Sequence, residues 1–402
     1  MSEWKKCPIG EVVTLRQGFA INAKSKHYMS KEETSLPLLR IADMKNGTKE
    51  VFVKEEIPQR FIAHPEDIIY TRTGNVGLVF RNNYGVMHNN CFSVTPNDAD
   101  ELSRDFLYYA LQNKTFFDTA NALARGAAQP DLPHTSFNSI EFAYPSLFVQ
   151  ERIAYILSRY DSLIENYQKQ IKLLEEAAQR LYKEWFVDLR FPGHENTNII
   201  DGVPEGWEKK KLSELFSFVR GKSYTSKELS DEGTIMVNLK NIQSFGGYKS
   251  DVEKHFIGTF KEEQTLMKGD LIMGVTDMTQ ERRLVGSVAL IPDFKETATF
   301  SMDLIKLISF KLPNIYLYCA MRYGDVSRQI APLANGVNVL HLKPEAISNI
   351  EMVVASDSII EKFVSYTSKT IERILSLQSQ LRLLTEARDR LLPKLMSGEM
   401  AV

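Results

Sequence analysis

Two long stretches of the chain carry apolar residues at steps of three and four, the spacing that places side chains on one face of a helix. In the first stretch these positions are Ile153, Ile156, Tyr160, Leu163, Tyr167, Ile171, Leu174, Ala178, Leu181 and Trp185. In the second they are Ile374, Leu377, Leu381, Leu384, Leu391 and Leu395. Each stripe needs a partner, and the other helix is the natural one. The pattern predicts two helices of roughly 38 residues, or about 57 Å, paired as an antiparallel coiled coil.

The segments before each long helix have a different pattern, in which short apolar runs alternate with glycine-containing turns, as in small sheets. These two segments are similar to each other. Trp4, Glu11 and Gly18 recur as Trp207, Glu214 and Gly221 at an offset of 203 residues, and Gly126, Leu132, Glu141 and Glu151 recur as Gly336, Leu342, Glu351 and Glu361 at an offset of 210 residues. Self-similarity of this kind predicts two copies of one structural unit.

These patterns together predict an α+β protein. It would contain two mixed α/β domains separated by two long antiparallel coiled-coil helices, with a pseudo-two-fold internal repeat. The expected boundaries are residues 1–148 for the first domain, 149–192 for the first helical region, 193–206 for a connector rich in Gly, Pro and Asn, 207–356 for the second domain and 357–402 for the second helical region.

Composition narrows the class of protein without changing this architecture. Hydrophobic residues make up 43% of the 402 positions, which is enough for ordinary cores. The sequence has no apolar run of membrane-spanning length and no secretory signal, so we expect a cytoplasmic protein that does not contact a membrane. A net charge of −2 argues against coating nucleic acid by charge alone. The three cysteines lie far apart, which favours buried thiols over disulfides.

A search for catalytic motifs finds none. Gly221-Lys222-Ser223 is the end of a nucleotide-binding P-loop, but the glycine that such a loop needs five residues earlier is Phe216. The sequence has no Gly-x-Gly and no Pro-Pro pair, which a nucleic-acid amine methyltransferase would use, and its histidines form no HxH or HxxxH metal pair. We therefore expect no cofactor on this chain. Two alternatives stay open: a coiled-coil scaffold that binds no nucleic acid, and an unrecognised DNA-modifying enzyme.

Four segments carry a resemblance to a known family. They are "DIIYTRTGNVG" from Asp67, "PSLFVQERIAYIL" from Pro145, "RLYKEWFVDLRFP" from Arg180 and "RLLPKLMSGEM" from Arg390. The last three resemble the entry and exit of the first conserved helix and the closing motif of specificity (S, HsdS) subunits of type I restriction-modification enzymes. The first is similar to the central strand and turn of a target recognition domain. The resemblance spans nearly the whole chain.

This resemblance implies a non-catalytic subunit that reads double-stranded DNA. Two target recognition domains would each read one half of a split site. Two methyltransferase (M) subunits would dock on the helices, and two restriction (R) subunits would join them. S-adenosylmethionine, ATP and Mg would then be bound by those partners, which accounts for the missing cofactor motifs.

Base-reading side chains are expected on loops that project from rigid strands, with Arg suited to guanine and Asn or Gln to adenine. In the first domain the candidates are Lys24, Lys26, His27, Arg72, Thr73, Asn75, Arg125 and Gln129. In the second domain they are Lys222, Ser223, Tyr224, Thr279, Gln280, Arg282, Arg283, Asn335, Asn338 and His341. A solvated loop residue is the alternative interpretation at each position, since phosphate and base contacts use the same side chains.

Overall fold

The computed structural model describes residues 4–126, 128–250, 254–279 and 281–402. The chain divides into two compact units. The first unit comprises Met1–Asp161 together with Ala387–Val402, and the second comprises Ser162–Glu386. Both contain helices and short strands, which confirms the predicted mixed class. Among the described residues, no helix is both long enough and apolar enough to span a bilayer.

The first unit is built from eleven strands and five helices of the described chain, together with the end of the C-terminal helix. The fifth helix continues into the second unit. The strands are β1 (Lys5–Pro8), β2 (Val13–Gln17), β3 (Met29–Ser30), β4 (Leu36–Leu39), β5 (Phe52–Val53), β6 (Ile62–Ala63), β7 (Ile68–Thr71), β8 (Val79–Phe80), β9 (Gly85–Met87), β10 (Cys91–Pro96) and β11 (Glu141–Tyr144). The helices are α1 (Ile41–Asn46), α2 (Arg104–Gln112), α3 (Lys114–Leu123), α4 (His134–Asn138) and α5 (Leu147–Tyr182).

These strands form a four-stranded sheet of order β2-β10-β7-β8, a five-stranded sheet of order β3-β5-β4-β9-β6 and the pair β1-β11. The four-stranded sheet packs against helices through aromatic side chains. Tyr70 on β7 and Phe92 on β10 are fully buried and stack with ring centroids 5.5 Å apart. Phe137 on α4 packs edge-on against both rings at 5.0 Å. Such edge and offset contacts are the favoured aromatic geometries, so they fix the sheet that carries the loops described below.

The second unit contains fourteen strands and four further helices among the described residues. The strands are β12 (Ile199–Ile200), β13 (Val203–Pro204), β14 (Glu208–Lys211), β15 (Phe216–Arg220), β16 (Leu229–Ser230), β17 (Thr234–Val237), β18 (His255–Phe256), β19 (Leu271–Gly274), β20 (Thr276–Asp277), β21 (Val288–Leu290), β22 (Ala298–Phe300), β23 (Leu304–Ser309), β24 (Leu340–His341) and β25 (Glu351–Val354). The helices are α6 (Leu212–Leu215), α7 (Asn314–Tyr323), α8 (Val326–Ile330) and α9 (Asp357–Met396).

The larger sheets of the second unit have the orders β15-β23-β19-β21 and β16-β18-β17-β22. Smaller pairs are β14-β25, β20-β24 and β12-β13. Among the described strands of this unit, all pairings except one are antiparallel. The exception is the parallel pairing of β17 with β22, in which Val237 lies opposite Phe300.

The two long predicted helices are present as α5 and α9. The helix α5 extends for 36 residues, or about 54 Å, and continues as one π-helical turn over Lys183–Val187. Within the second unit the two helices run antiparallel, because Trp185 packs on Phe363 at 5.9 Å while Gln170 accepts a hydrogen bond from Arg373 at 3.4 Å. This arrangement fits a coiled coil.

The register of α5 differs from the predicted one at one position. Leu163 was expected in the buried stripe, but its side chain is 45% exposed and Ile164 is buried instead. The buried residues Leu157, Ile164, Ile171, Ala178 and Trp185 follow one another at intervals of seven. An unbroken heptad is the repeat that keeps one face on a partner helix. The buried stripe therefore passes through Ile164 rather than through the predicted Leu163.

Buried carboxylates on α5 anchor neighbouring helices in each unit. In the second unit Glu175 accepts two hydrogen bonds from the Arg322 guanidinium on α7, at 2.8 and 2.9 Å. In the first unit Asp161 accepts from the Tyr109 hydroxyl at 2.6 Å, from Arg388 at 3.1 Å and from Arg81 at 3.4 Å. The charged groups of each cluster pair with one another through hydrogen bonds, which compensates for their removal from water.

Candidate nucleic-acid interface

The loop that follows β7 is held in place by an ion pair. Arg72 donates from Nε and Nη2 to the two carboxylate oxygens of Asp131, at 3.2 and 2.7 Å, and from Nη1 to Oε1 of Gln17 at 3.2 Å. Thr73 donates its hydroxyl proton to the same carboxylate at 2.6 Å. Burial is the largest effect on the pKa of Asp131 and would raise it, but the hydrogen bonds from Arg72 and Thr73 outweigh burial and lower that pKa. Arg72 therefore joins two loops and has its donors engaged.

A second loop, the turn between β9 and β10, lies beside the first. The Asn90 carbonyl accepts from the backbone N–H groups of Arg72 at 2.8 Å and Thr73 at 3.3 Å. The backbone N–H of Cys91 closes the turn on the His88 carbonyl at 2.9 Å. Gly18 lies against this turn, and a Cβ at position 18 would be 2.2 Å from the His88 carbonyl oxygen. The recurring glycine is thus explained by close backbone approach rather than by a left-handed conformation.

These loops and α1 surround an open groove of about 580 Å³ in the first unit. Three of the sequence-predicted residues line it, namely Thr73, Asn75 and Gln129. The other polar residues of the lining, which the sequence analysis did not select, are Arg40, Lys45, Asn46, His88 and Asn90. Most polar side chains of the groove are amides or carry another hydrogen-bond donor. A concave surface with several convergent polar side chains is the form expected of a recognition site.

The other predicted residues of the first domain lie elsewhere on this unit. Lys24, Lys26 and His27 are exposed on a loop between β2 and β3. This loop is shaped by Asn22, whose side-chain oxygen accepts from the backbone N–H of Lys24 at 2.9 Å. Arg125 is exposed and its backbone is bridged to Asp131. None of these four lines the groove.

In the second unit the strands β20 and β24 bring predicted residues together. Thr276 lies opposite His341, and the Thr276 hydroxyl is 3.5 Å from Nδ1 of that histidine. The backbone of Asn335 is bridged to His341 and its side chain donates to the Leu333 carbonyl at 3.0 Å. Asn338 is exposed in the same connection. This connection presents amide and imidazole groups to solvent.

A buried carboxylate shapes the loop that follows β20 in the second unit. Asp277 is 1% exposed. One of its oxygens accepts from the backbone N–H and the hydroxyl of Thr279, at 2.8 and 2.9 Å, and the other accepts from the backbone N–H of Leu284 at 2.8 Å. Between these anchors stand Arg282, with a left-handed φ of 56°, and the exposed Arg283. Gln280, also predicted for this loop, lies outside the described residues.

The remaining predicted residues follow β15. Lys222 is fixed through its backbone, which donates to the Phe300 carbonyl at 2.8 Å. The Tyr224 hydroxyl accepts from Nζ of Lys254 at 3.3 Å, and Ser223 is exposed between them. In the described part of the chain, no group of three or more His, Cys, Asp or Glu side chains is arranged to hold a metal ion.

Comparison with known proteins gives these loops a context. A family model described as "Type I restriction modification DNA specificity domain" matches residues 1–176. The chain is 28% identical over 318 residues to the MjaIX specificity subunit of a type I restriction enzyme from Methanocaldococcus jannaschii, covering 77% of this chain and 72% of that relative. The HindI specificity subunit of Haemophilus influenzae is 22% identical, covering 99% of this chain and 100% of that relative. Residues 1–176 therefore match a DNA specificity domain of type I restriction-modification systems, and most of the chain is similar to specificity subunits of type I restriction enzymes.

A solved structure supports the same fold. The type I restriction-modification S subunit from M. genitalium matches with a TM-score of 0.61 and 18% identity, covering 98% of this chain and 96% of that one. The mixed helix and strand fold with long helices is therefore the fold of a known specificity subunit.

His88, Asn90 and Asp277 are among the residues that could have been selected from sequence signals but were not. His88 and Asn90 stand in "MHNNC", a polar run between two apolar strands, which is a turn signal that could have been used. Asp277 precedes Met278 and Thr279, and an Asp two residues before Thr is compatible with a side-chain-capped turn. Burial of Asp277 could not be deduced from sequence, because an isolated Asp is ordinarily exposed.

Proposed function

We propose that the chain is the non-catalytic DNA-recognition subunit of a type I restriction-modification complex. Residues 1–148 and 207–356 would be the target recognition domains, each reading one half of a bipartite double-stranded site. Residues 149–192 and 357–402 are the conserved helical regions, and residues 193–206 are the connector. Two methyltransferase and two restriction subunits supply the active sites together with S-adenosylmethionine, ATP and Mg. We assign it to the cytoplasm because DNA is its proposed substrate.

The observation that carries this proposal is that each unit builds a similar backbone frame around different side chains. The matched contacts are the backbone hydrogen bonds from Phe19 to Met87 (2.6 Å) and from Lys222 to Phe300 (2.8 Å), and the bridges of Thr73 with Asp131 and of Thr276 with His341. Two domains that share a backbone framework but differ in their loop side chains can recognise two different half-sites.

Strand order supports the same proposal. The sheet β2-β10-β7-β8 of the first unit and the sheet β15-β23-β19-β21 of the second consist of strands at corresponding places in the sequence. In the described residues, each unit has one parallel strand pair, β4 with β9 and β17 with β22, and these pairs also correspond. We infer that the two domains are copies of one structural unit, as expected of a pseudo-two-fold internal repeat.

A domain exchange tests independent reading. Residues 207–356 are replaced by the equivalent segment of a relative that recognises a different site, and the complex with its methyltransferase partner is used to methylate a random DNA library. We expect one half of the methylated motif to change and the other to persist. If both halves change together, the domains do not read independently. If the unaltered complex shows no bipartite preference, the scaffold alternative is favoured.

The exposed face of α5 supports docking of the methyltransferase subunits. Phe148 and Tyr155 are 65% and 66% exposed, and Arg152 and Arg159 lie over their respective rings at 5.7 and 5.9 Å. Exposed aromatic and arginine side chains are the residues that most often dominate protein interfaces. We propose that this face is a contact for a methyltransferase subunit.

A further inference from the structure

The turn that carries His88 and Asn90 is held rigidly at the edge of the groove in the first unit. Its backbone receives hydrogen bonds from Arg72, Thr73 and Cys91, and Gly18 packs against it without a side chain. Side chains on this turn are thus positioned by contacts from two other segments of the chain, at Gly18 and at Arg72–Thr73. Precise positioning is what a base-reading group needs, since specificity depends on hydrogen-bond geometry.

The two side chains themselves have free hydrogen-bonding groups. Nδ1 of His88 accepts from the backbone N–H of Asn90 at 3.3 Å, so in the neutral ring the proton is on Nε2. Burial, and then the positive charge of Arg40, lower the pKa of His88 and keep the ring neutral near pH 7. Within the described ranges, neither Nε2 of His88 nor the Asn90 amide has a protein partner. Both residues are half-buried and line the groove.

Arg40 also lines the groove, but its guanidinium is bound to carboxylates. Arg40 donates from Nε and Nη2 to Asp43 at 2.6 and 3.0 Å, and from Nη2 to Glu50 at 2.6 Å. Its charge is therefore compensated, and most of its donors are engaged. Lys45 lies exposed at the groove and has no ion-pair partner among the described residues. Among the described residues, the groove therefore offers the Nε2–H donor of His88, the Asn90 amide and the Lys45 ammonium group, beside the other polar side chains of its lining.

We propose that Asn90 and His88 are specificity-determining residues of the first recognition domain, and that they read purine edges in the major groove of duplex DNA. This proposal rests on the proposed function and names the side chains that contact the bases. An Asn amide matches the N6 donor and N7 acceptor of adenine, so Asn90 selects adenine. The Nε2–H of His88 donates to an acceptor such as N7 or O6 on the adjoining base pair. Lys45 contacts a phosphate and carries no sequence information.

The second unit differs at the corresponding place, which supports a role specific to one half-site. There the bridge of Lys222 with Ser301 corresponds to that of Phe19 with His88. Ser301 is fully buried, and Asp303 stands where the first unit has Asn90. A carboxylate cannot donate to adenine N7, so the two domains cannot read the same base at this position.

The test uses the complete complex with its methyltransferase partner and a random DNA library, with methylated motifs read by sequencing. Asn90→Asp retains the shape of the side chain and removes its donors. We expect methylation at the adenine-containing first half-site to fall roughly 5- to 150-fold, with the second half-site unchanged. His88→Gln should relax the preference at the neighbouring position only. Lys45→Ala should weaken methylation of all sequences alike.

His64→Ser is the matched control, because His64 is an exposed residue of the same unit that does not line the groove. It should leave the motif and rate unchanged. Asn90→Ser is the second variant, and it should lose the same base preference while circular dichroism and complex assembly stay normal. An unchanged motif and rate in Asn90→Asp, Asn90→Ser and His88→Gln would overturn the residue assignment and leave the proposed function intact. Absence of any bipartite motif with the unaltered chain would instead reject the proposed function.

Discussion

The buried ion pair between Glu175 and Arg322 offers a quantitative test of how α7 is held on α5. The two side chains are 14% and 10% exposed, and both guanidinium nitrogens that face Glu175 are bonded to it. Replacing Glu175 with Ala leaves the arginine charge buried without its carboxylate. Removal of one partner from a buried pair costs about 3–5 kcal/mol. We expect Glu175→Ala to reduce the free energy of unfolding of the second unit by an amount in this range.

The adjacent residue provides a matched control. Glu176 is on the same helix, its side chain is 40% exposed, and its distance to Arg180 is 3.9 Å. Exposed pairs of this spacing contribute about 0.3–0.5 kcal/mol. Glu176→Ala should therefore have little effect.

Urea unfolding followed by tryptophan fluorescence can measure this difference. Of the three tryptophans, Trp185 and Trp207 belong to the second unit and Trp4 to the first. In a Trp4→Phe background the signal reports on the second unit alone. Replacing both Glu175 and Arg322 with Met should recover most of the loss, because no charge is then left unpaired. Equal losses for Glu175→Ala and Glu176→Ala would refute the reasoning.

Three further outcomes are expected. Gly18→Ala should destabilise the first unit by about 1–3 kcal/mol, because the new methyl group meets backbone that cannot move aside easily; thermal unfolding measures it, and an unchanged melting temperature would contradict the close approach. Burial raises the pKa of the Cys91 and Cys319 thiols to about 12, so both stay protonated at pH 8 and should resist iodoacetamide until urea is added, as mass spectrometry would show. Arg152→Glu with Arg159→Glu should weaken assembly with the methyltransferase partner in size-exclusion chromatography without altering the methylated motif; an altered motif with normal assembly would argue against docking on this face.

The coiled-coil helices could be predicted from the sequence because their apolar period persists over many turns. It was harder to predict which residues of α5 form the buried stripe. Leu163 and Ile164 are adjacent and both apolar, yet Ile164 is buried while Leu163 is 45% exposed. A one-residue difference of this kind depends on the partner helix, which a single stretch of sequence does not contain.

The recognition loops show a similar limit. Thr73 and Gln129 were selected because they are polar residues on predicted loops, and the groove contains both. Arg72 was selected on the same grounds, yet its guanidinium is engaged by Asp131. Whether an arginine faces DNA or a carboxylate depends on contacts between residues far apart in sequence, so residue type and loop position cannot decide it.

The first unit is formed from both ends of the chain, which has a consequence for synthesis of the protein. Leu395 and Met396, from the end of α9, are buried in the same core as Phe106 and Ile153. A growing chain that has left the ribosome only as far as residue 161 lacks these side chains, so the apolar face of early α5 has no cover until more than two hundred further residues are made. The core of the second unit also contains α9 residues, among them Ile374 and Leu377, so both cores are completed only when α9 has been made. A product truncated before α9 would therefore retain an exposed, association-prone face on its first unit.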